Sequence, residues 1–394
     1  MKTSLLLRGF CAAFCIFSIQ ATYAQSAERI HRKAILIDTH NDILTQTVEK
    51  GLVFDTDLKG RTHSDLKRWR EGGLDAQLFS VWCDGDKKEP YLFAVRQIDS
   101  LDAVVGRNPA RIVKVANSTQ LRRTARHHKI AAMLGVEGGH MIENDISKLD
   151  TFFNRGVRYM TLTWNNSTTW ATSAFDETFK KDLPSKGLTD FGKQIVQRMN
   201  TLGMIVDISH VGERTFWDVI KTTTKPIIAS HSSVYALCAH QRNLKDSQIV
   251  AIARNGGVIQ INFYSGFLDS NFTASKAAFI SKHKSDWDSV VASGKPEFIA
   301  DEYLYSRYHN EAETMRASFD LVIQHIEYII KLVGVDYVGI GSDFDGIESP
   351  PKQLDDVTTY PLITKALLAK GYNRRDISKI LGGNFLRVLK ANEN

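Results

Sequence analysis

The residues Ala34–Leu44 read AILIDTHNDIL and show a pattern that returns along the whole chain. The apolar run from Ala34 to Ile37 predicts a buried strand, and polar residues follow it at once. Side chains alternate between the faces of a strand, so His40 and Asp42 are expected to project from the same face at its end. This placement predicts half of a metal site. The alternative is a turn with a solvated acid, and the ends of the other strands distinguish the two.

Short apolar runs of the same kind recur between segments of helical periodicity. Seven of them predict further strands: Ala76–Trp82, Ile130–Val136, Val157–Thr163, Met204–Ile208, Pro226–Ser230, Val258–Tyr264 and Tyr337–Ile340. The intervening helices are predicted at, among others, Glu89–Val105, Thr189–Leu202, Glu311–Val333 and Arg374–Lys390. Strands that alternate with helices indicate βα units and a parallel sheet. Eight such units, without a nucleotide-type glycine loop after the first, favour an α/β fold of the closed (β/α)8 TIM type.

The length of 394 residues suits one such barrel with insertions, or two domains. The sequence contains no internal repeat and no Pro/Gly/Ser-rich linker that would divide it. We therefore predict a single (β/α)8 metallohydrolase domain over residues 25–394. The polar segment 265–310 interrupts the rhythm and is predicted to be an insertion from one barrel loop, either a lid or a subunit contact.

The N-terminus has the features of a secretory signal peptide over residues 1–24. Lys2 and Arg8 accompany an apolar stretch, Phe10–Ile19, that is too short to span a bilayer comfortably, and small residues precede Gln25. An uncleaved anchor is the alternative. Cleavage predicts an exported protein, periplasmic or secreted, without a transmembrane segment in its mature part.

The charge and cysteine content argue against several classes of protein. The formal net charge of +6 falls by two when the signal peptide is removed, and no Lys/Arg block marks a nucleic-acid or membrane-surface patch. We therefore expect no nucleic-acid partner. Cys83 and Cys238 are the cysteines of the mature chain. An oxidising compartment permits them to pair, but two cysteines are not a disulfide framework.

The carboxyl ends of the predicted strands carry the candidate functional residues. In a (β/α)8 barrel the active site lies at those ends. They carry His40, Asp42, Glu137, His210, His231 and Asp343. One histidine at such a place is more often a core residue, but repetition at several strands makes coincidence a poor explanation. Three histidines and two carboxylates suit a pair of borderline cations such as Zn²⁺.

The chemistry of these side chains suggests how they divide between two metals. A glutamate has two oxygens, so Glu137 is predicted to bridge metals about 3.5–4 Å apart. His40 and Asp42 would complete one site, and the histidines of the fifth and sixth strands would complete the other. The metals would lower the pKa of a shared water to give a bridging hydroxide. Asp343 would take the proton and deliver it to a leaving group.

Two residues near the strand ends are candidates for substrate binding. Arg242 follows the sixth strand and could form a fork around a substrate carboxylate, with a surface arginine as the alternative. Tyr264 ends the seventh strand and faces inward or outward. Asp345 points the same way as Asp343 and receives no catalytic role. His63, like the other histidines away from strand ends, is expected to be a surface or structural residue.

With these residues in place, the chain resembles the membrane dipeptidase (renal dipeptidase) family of the amidohydrolase-like barrels, over about Ala34 to Leu389. The motifs that carry the resemblance are DTHND at 38–42, GVEGG at 135–139, DISH at 207–210, ASHSS at 229–233, RN at 242–243, NFY at 262–264 and SDFDG at 342–346. The first motif has His-x-Asp where most other amidohydrolases have His-x-His. This difference separates the dipeptidases from their relatives.

The resemblance implies a binuclear zinc enzyme, with two Zn²⁺ per subunit and Glu137 as the bridging ligand. It implies that Asp343 is the proton shuttle, that Arg242 holds the terminal carboxylate of a dipeptide and that Tyr264 lines the substrate pocket. Members of the family hydrolyse dipeptides and often accept a D-residue at the carboxyl side.

One departure from the family pattern concerns Trp164, where mammalian members carry a substrate-contacting histidine. An indole donates only through one fixed N–H. Either a neighbour such as Asn165 or Asn166 compensates, or the substrate preference differs. Two alternatives to a dipeptidase therefore stay open: a binuclear amidohydrolase acting on another small amide or lactone, and a barrel that binds metal or peptide without turnover. The oligomeric state is open between a monomer and a homodimer.

Overall fold

Residues 26–394 of the chain are described from a computed structural model, and the predicted signal peptide lies outside the described residues. Within them, parallel strands form one sheet: β1 (Ile37–Asp38), β2 (Ala76–Trp82), β3 (Ile112–Lys114), β4 (Ile130–Glu137), β5 (Val157–Thr161), β6 (Ile205–Asp207), β7 (Ile228–Ser232), β8 (Val258–Ile261) and β9 (Val338–Ile340). Eight of them follow the order β1-β2-β4-β5-β6-β7-β8-β9. This order confirms the predicted (β/α)8 barrel.

Backbone hydrogen bonds between the segments that follow the first and last strands close the barrel. The Asp42 amide donates to the Phe344 carbonyl at 3.0 Å. The Asp343 amide donates to the His40 carbonyl at 3.2 Å. The seam therefore joins the chain segments that follow β1 and β9, and brings their polar residues together at the carboxyl end.

Two strand predictions need correction. The first strand begins at Ile37 rather than Ala34, because the amide of Ala34 donates to the Ile30 carbonyl at the end of a preceding helix. The short strand β3 was not predicted, since its three residues fall below the run length that signals a strand. It pairs with the first part of β4, and β5 pairs with the remainder, so β3 lies away from the carboxyl ends.

Helices cover the outside of the barrel, close to the predicted positions. Before the seventh barrel strand they are α1 (26–33), α2 (Ile43–Lys50), α3 (Leu66–Glu71), α4 (Pro90–Arg107), α5 (Ser118–Arg126), α6 (Ile146–Asn154), α7 (Ala174–Phe179), α8 (Asp190–Leu202), α9 (Glu213–Thr222) and α10 (Asp246–Asn255). Local chemistry fixes their ends: the Thr189 side chain accepts from the Gly192 amide to begin α8. The left-handed Gly203 then ends this helix.

The predicted insertion, residues 265–310, is largely helical. It and the segment that follows form α11 (Ser265–Leu268), α12 (Phe272–Lys282), α13 (Lys284–Ala292), α14 (Glu297–Arg307), α15 (His309–Met315) and α16 (Phe319–Val333). The single helix predicted over Glu311–Val333 is therefore two helices. Arg316 lies at the break, where its guanidinium donates to the carbonyls of Pro350 and Pro351 at 2.7 Å each.

The chain ends in α17 (Pro361–Ala369), α18 (Arg374–Ser378) and α19 (Asn384–Asn392), with a π-helical turn at Lys379–Gly383 that divides the helix predicted over Arg374–Lys390. Phe385 and Leu389 of α19 pack with inward side chains of the strands, such as Leu78 and Met133. Apolar packing therefore fills the amino end of the barrel.

Two general features follow from the described residues. Cys83 and Cys238 are both buried and free, so they do not form a disulfide. None of the helices between residues 26 and 394 is long and apolar enough to cross a membrane.

Candidate metal centre

The six candidate residues of the strand ends meet at the carboxyl end of the barrel. Five are buried, with at most 8% of their surface exposed: His40, Asp42, Glu137, His210 and His231. The carboxyl group of Asp343 lies at the rim, with 14% of the side chain exposed. Strand alternation explains part of this convergence, because Glu137 shares the inner face of β4 with Met133.

Glu137 lies at the centre of the cluster, and its two oxygens face different histidines. Oε2 is 3.1 Å from Nε2 of His40. Oε1 is 2.9 Å from Nε2 of His210 and 3.4 Å from Nε2 of His231. Although burial opposes it, the three histidines lower the pKa of Glu137 well below its usual range, so this carboxylate is ionised.

Each histidine is oriented by a partner on its other ring nitrogen. The Nδ1 contacts are His40 to the Tyr159 hydroxyl at 2.9 Å, His210 to Asn165 Oδ1 at 3.1 Å, and His231 to Ser230 Oγ at 2.8 Å. A second partner of this kind fixes the tautomer and the orientation of a histidine that binds a metal. All three rings therefore direct Nε2 towards the same carboxylate.

Two features of the cluster are unfavourable without a cation. The Nε2 atoms of His210 and His231 are 3.0 Å apart, a distance at which both cannot carry a proton. Oδ1 of Asp42 is buried without a hydrogen-bond partner. Such an atom costs about 1–3 kcal/mol unless it is satisfied, and a cation would satisfy it. The nitrogen and oxygen donors thus fit borderline divalent metals.

The donor atoms also lie close enough together to surround a metal ion. Two groups each have one donor atom per residue within 4.8 Å of the others: His40, Glu137 and His231, and His40, Asp42 and Asp343. His40 belongs to both groups, and its Nε2 is 3.4 Å from Oδ2 of Asp42. Asp42 makes this contact as the residue that precedes α2 rather than as a strand residue.

Asp343 combines contact with the cluster and a raised pKa. Its Oδ1 lies 3.8 Å from Nε2 of His40, and its Oδ2 accepts from the side-chain Nδ2 of Asn262 at 2.8 Å. Burial, together with the charges of Asp42 and Glu137, raises the pKa of Asp343 well above its usual range, although His40 opposes the shift. A carboxyl group that holds its proton more firmly is suited to proton transfer.

The backbone at these strand ends adopts unusual conformations. His210, Asp343 and Asp345 have φ values of 66°, 63° and 68°, in the left-handed region that non-glycine residues rarely occupy. Backbone strain of this kind gathers at functional sites. At Gly346 a Cβ atom would lie 2.3 Å from Oδ2 of Asp42, so only glycine lets the chain approach the carboxylate this closely.

Asp345 supports the rim and does not contact the histidines of the cluster. Its carboxylate accepts from the His63 amide at 2.6 Å, from the Asn41 side chain at 3.2 Å and from the Ser64 hydroxyl. His63 in turn accepts from the Asp345 amide at 3.0 Å. His63 therefore has the structural role expected of it, and it also lines the cavity described next.

A cavity of about 890 Å³ opens above the cluster. Asp42, Glu137, His210 and Asp343 lie at its floor. Its walls include aromatic side chains: Trp82, Trp164, Tyr264, Phe267, Phe298 and Tyr305. The volume falls within the range of sites that hold small molecules.

Arg242 is a buried residue, so the alternative of a surface arginine is wrong. Its exposed fraction is 5%. Nη2 donates to the His231 carbonyl at 3.2 Å, while Nε is buried without a partner. Burial lowers the pKa of Arg242 to about 10, although Glu137 and Asp343 oppose the shift. Arg242 borders a neighbouring cavity of about 390 Å³ and is not among the residues that line the larger one.

Tyr264 and Trp164 both line the large cavity. The sequence left open whether Tyr264 faces inward or outward. Its side chain lies at the cavity, where the hydroxyl donates to Glu348 at 3.1 Å. The indole of Trp164 packs edge-on against Trp82, with ring centroids 5.1 Å apart. Its ring centroid lies 6.3 Å from that of His210. Trp164 thus contributes an apolar surface beside the cluster.

Sequence reasoning missed several residues that contact the cluster. Ser80 donates to Glu137 at 3.1 Å, and Asn262 donates to Asp343. Asn262 directly follows β8, so a search for polar residues at the carboxyl ends of the strands would have found it. Ser80 and Tyr159 lie within strands, where a polar residue does not indicate an active site.

Of the two neighbours named as possible replacements for the missing histidine, Asn165 lines the large cavity, and its Oδ1 contacts His210. Oδ1 of Asn166 is buried without a partner.

The chain is similar in sequence to known dipeptidases. A family model described as membrane dipeptidase (peptidase family M19) matches residues 24–394. The uncharacterized dipeptidase C965.12 of Schizosaccharomyces pombe is 34% identical over 390 residues, which cover 94% of this chain and 83% of that protein.

Solved structures share the fold over nearly the whole chain. The probable dipeptidase PvdM from Pseudomonas aeruginosa is 26% identical, with a TM-score of 0.78 and coverage of 94% of this chain and 98% of that one. A metallo peptidase from Rhodobacter sphaeroides, liganded with a phosphinate mimic of the dipeptide L-Ala-D-Ala, is 22% identical, with a TM-score of 0.73 and coverage of 92% and 100%. The second likeness concerns the fold alone. On the family match and the curated relative, the chain belongs to the membrane dipeptidase family, peptidase family M19, and is a metallo-dipeptidase, a hydrolase that acts on dipeptides.

Proposed function

We propose that the protein is a zinc-dependent dipeptidase that binds two Zn²⁺ per subunit through His40, Asp42, Glu137, His210 and His231. One observation carries the proposal: the two oxygens of Glu137 face different histidines, as a bridging carboxylate requires. The unpartnered Oδ1 of Asp42 supports a cation on the His40 side. The close approach of Nε2 atoms in His210 and His231 supports a cation on the other side.

The residues of the chain divide the catalytic work. When bound, the metal pair supplies Lewis acidity that polarises the scissile carbonyl and makes hydroxide available near neutral pH. Asp343 takes the proton of the attacking water and delivers it to the amine that leaves. Asn262 holds Oδ2 of Asp343, so that Oδ1 stays turned towards the cluster.

Substrate binding in this proposal relies on Arg242. Its Nε is buried and unpartnered, so a substrate carboxylate would supply the missing acceptor. Such an interaction selects substrates with a free carboxylate next to the scissile bond, as dipeptides have. Tyr264 and Trp164 line the pocket, and a D-residue is accepted at the carboxyl side.

We further propose that residues 1–24 are removed as a signal peptide and that the mature chain, one domain over residues 25–394, acts in the periplasm or outside the cell. The order of charge, apolar stretch and small residues supports this proposal. Sequencing the N-terminus of the exported protein tests it. Gln25 is the expected first residue, and an intact Met1 would contradict cleavage.

A substrate panel distinguishes the dipeptidase from the second candidate, a binuclear hydrolase of another small amide or lactone. Trp164, in place of a hydrogen-bonding histidine, is the observation that favours this second candidate. The panel contains L,L- and L,D-dipeptides, N-acyl amino acids and lactones, each with and without chelator. We expect hydrolysis of dipeptides that chelator removes and Zn²⁺ restores. Faster hydrolysis of lactones or N-acyl amino acids would favour the second candidate.

A further inference from the structure

We propose that Phe298, on α14 of the insertion, forms with Trp82 and Trp164 an apolar subsite that selects a bulky apolar side chain on the amino-terminal residue of the dipeptide. This inference rests on the proposed dipeptidase function and names the class of dipeptide that it favours. It also gives the insertion a role as a wall of the substrate pocket.

One face of α14 and the first residue of α15 line the large cavity. The cavity-lining residues recur at helical spacing: Phe298, Ile299, Glu302, Tyr305, Ser306 and His309. Residues three and four apart lie on the same side of a helix. Ala300 and Leu304, on other sides of the helix, are fully buried. The helix therefore presents one face to the cavity above the metal cluster and packs through Ala300 and Leu304.

Ion pairs fix α14 against the barrel. Asp301 accepts from Lys276 at 2.8 Å and from the Trp287 indole at 2.9 Å. Lys276 also pairs with Glu348, in the segment after β9, at 3.1 Å. The Lys276 and Asp301 side chains are 22% and 13% exposed. An anchored helix is suited to shape a pocket, and this favours a fixed wall over a mobile lid.

Three aromatic rings from different parts of the chain meet at this wall. The ring centroids of Trp82 and Trp164 are 5.1 Å apart, and those of Trp82 and Phe298 are 6.4 Å apart. Phe298 lines the large cavity, and 40% of its surface is exposed. An apolar ring left exposed beside two indoles gains from contact with an apolar ligand group.

The position of Arg242 indicates which end of the dipeptide reaches this wall. Nη2 of Arg242 donates to the carbonyl of the cluster residue His231 at 3.2 Å, whereas the aromatic residues border the large cavity above the cluster. With the terminal carboxylate on Arg242, the amino-terminal residue is left at the larger cavity. Its side chain would then contact Phe298 and the two indoles.

Kinetics with a series X-D-Ala, in which X is Ala, Leu, Phe or Trp, tests the subsite on the zinc-loaded enzyme. One methylene group more or less typically changes the preference of an apolar pocket by about 10–200-fold. We expect kcat/KM for Phe-D-Ala to exceed that for Ala-D-Ala by at least about tenfold in the wild type. Phe298→Ala should reduce this ratio most of the way to one, and Phe298→Leu should retain part of it.

Phe175→Ala is the matched control, because Phe175 is 44% exposed and does not line the cavity. It should leave the ratio unchanged. A wild type that prefers Ala, or a ratio that is the same in Phe298→Ala and the wild type, would overturn the subsite while leaving the dipeptidase in place. Absence of hydrolysis for every dipeptide, in wild-type protein loaded with zinc, would overturn the proposed function itself and the subsite with it.

Discussion

The barrel holds two layers of buried carboxylates, and their surroundings differ. In the lower layer, Asp38 accepts from the hydroxyls of Ser342 and Tyr360 at 2.6 and 2.5 Å. Asp207 accepts from the Ser230 amide and hydroxyl at 2.8 and 2.6 Å. Both carboxylates thus have hydrogen-bond donors within the protein, and neither needs a cation.

The upper layer, one step nearer the cavity, is less well satisfied. Asp42 has an oxygen without a partner, and Glu137 is surrounded by histidines whose nitrogens crowd one another. The difference between the two layers shows that burial of an acidic side chain does not by itself indicate a metal site. What separates them is whether the protein satisfies the carboxylate. We therefore expect the lower layer to serve stability and the upper layer to serve metal binding and catalysis, at some cost in stability.

Glu137→Gln should have the largest effect of any change in the upper layer. Glutamine offers one neutral oxygen and cannot bridge two metals, so the variant should lose bound metal, and dipeptide hydrolysis should fall to the background rate. Metal analysis and kcat measure both losses. The melting temperature of the metal-free protein should fall as well, because the ionised Glu137 carboxylate contacts three histidines and accepts from Ser80. Retention of two metals with activity would show that Glu137 is not the bridge.

Asp343→Asn should lower kcat by about 10²–10⁴-fold with metal content unchanged, because the variant removes a proton carrier and keeps the size of the side chain. Steady-state kinetics measure kcat, and metal analysis of the same sample measures the metal content. If zinc is lost in this variant, Asp343 is a ligand rather than a proton shuttle.

Arg242→Ala should raise KM for dipeptides by about 10–100-fold, the expected cost of losing hydrogen bonds to a charged group. Dipeptide amides, which lack the free carboxylate, are the matched substrates and should be affected far less. Arg242→Lys keeps the charge without the planar fork and should give an intermediate KM. Equal effects of Arg242→Ala on acids and amides would exclude a carboxylate clamp.

Asp207→Asn should have the smallest effect on catalysis and a clear effect on stability. It weakens hydrogen bonds from Ser230 and Thr161, so the free energy of unfolding should fall by about 1–3 kcal/mol. Denaturant unfolding of the metal-free protein measures this difference. Loss of metal at unchanged stability would place Asp207 in the metal centre and remove the distinction between the layers.

The sequence was sufficient for the upper layer because a barrel converts position along the chain into proximity in space. His40, Glu137 and His231 lie far apart in sequence, yet each follows or ends an apolar strand, and the strand ends of a barrel meet. This inference needs only the positions of the strand ends along the chain. It therefore also predicted the position of Asp343 at the rim.

The other parts of the site depend on tertiary contacts that the sequence pattern does not reveal. Tyr159 orients His40 from within a strand, where a tyrosine is ordinarily a core residue. The cavity face of α14 depends on how Lys276 and Asp301 hold the insertion, which periodicity cannot reveal. Arg242 was ambiguous for the same reason, since burial is set by the loops around it.

The most direct test is a titration of chelated protein with Zn²⁺, in which bound metal and dipeptide hydrolysis are measured on the same samples. A binuclear site bridged by Glu137 predicts saturation at two Zn²⁺ per chain, with activity appearing as the sites fill. Full activity with one Zn²⁺ per chain, or hydrolysis by the metal-free protein, would contradict it.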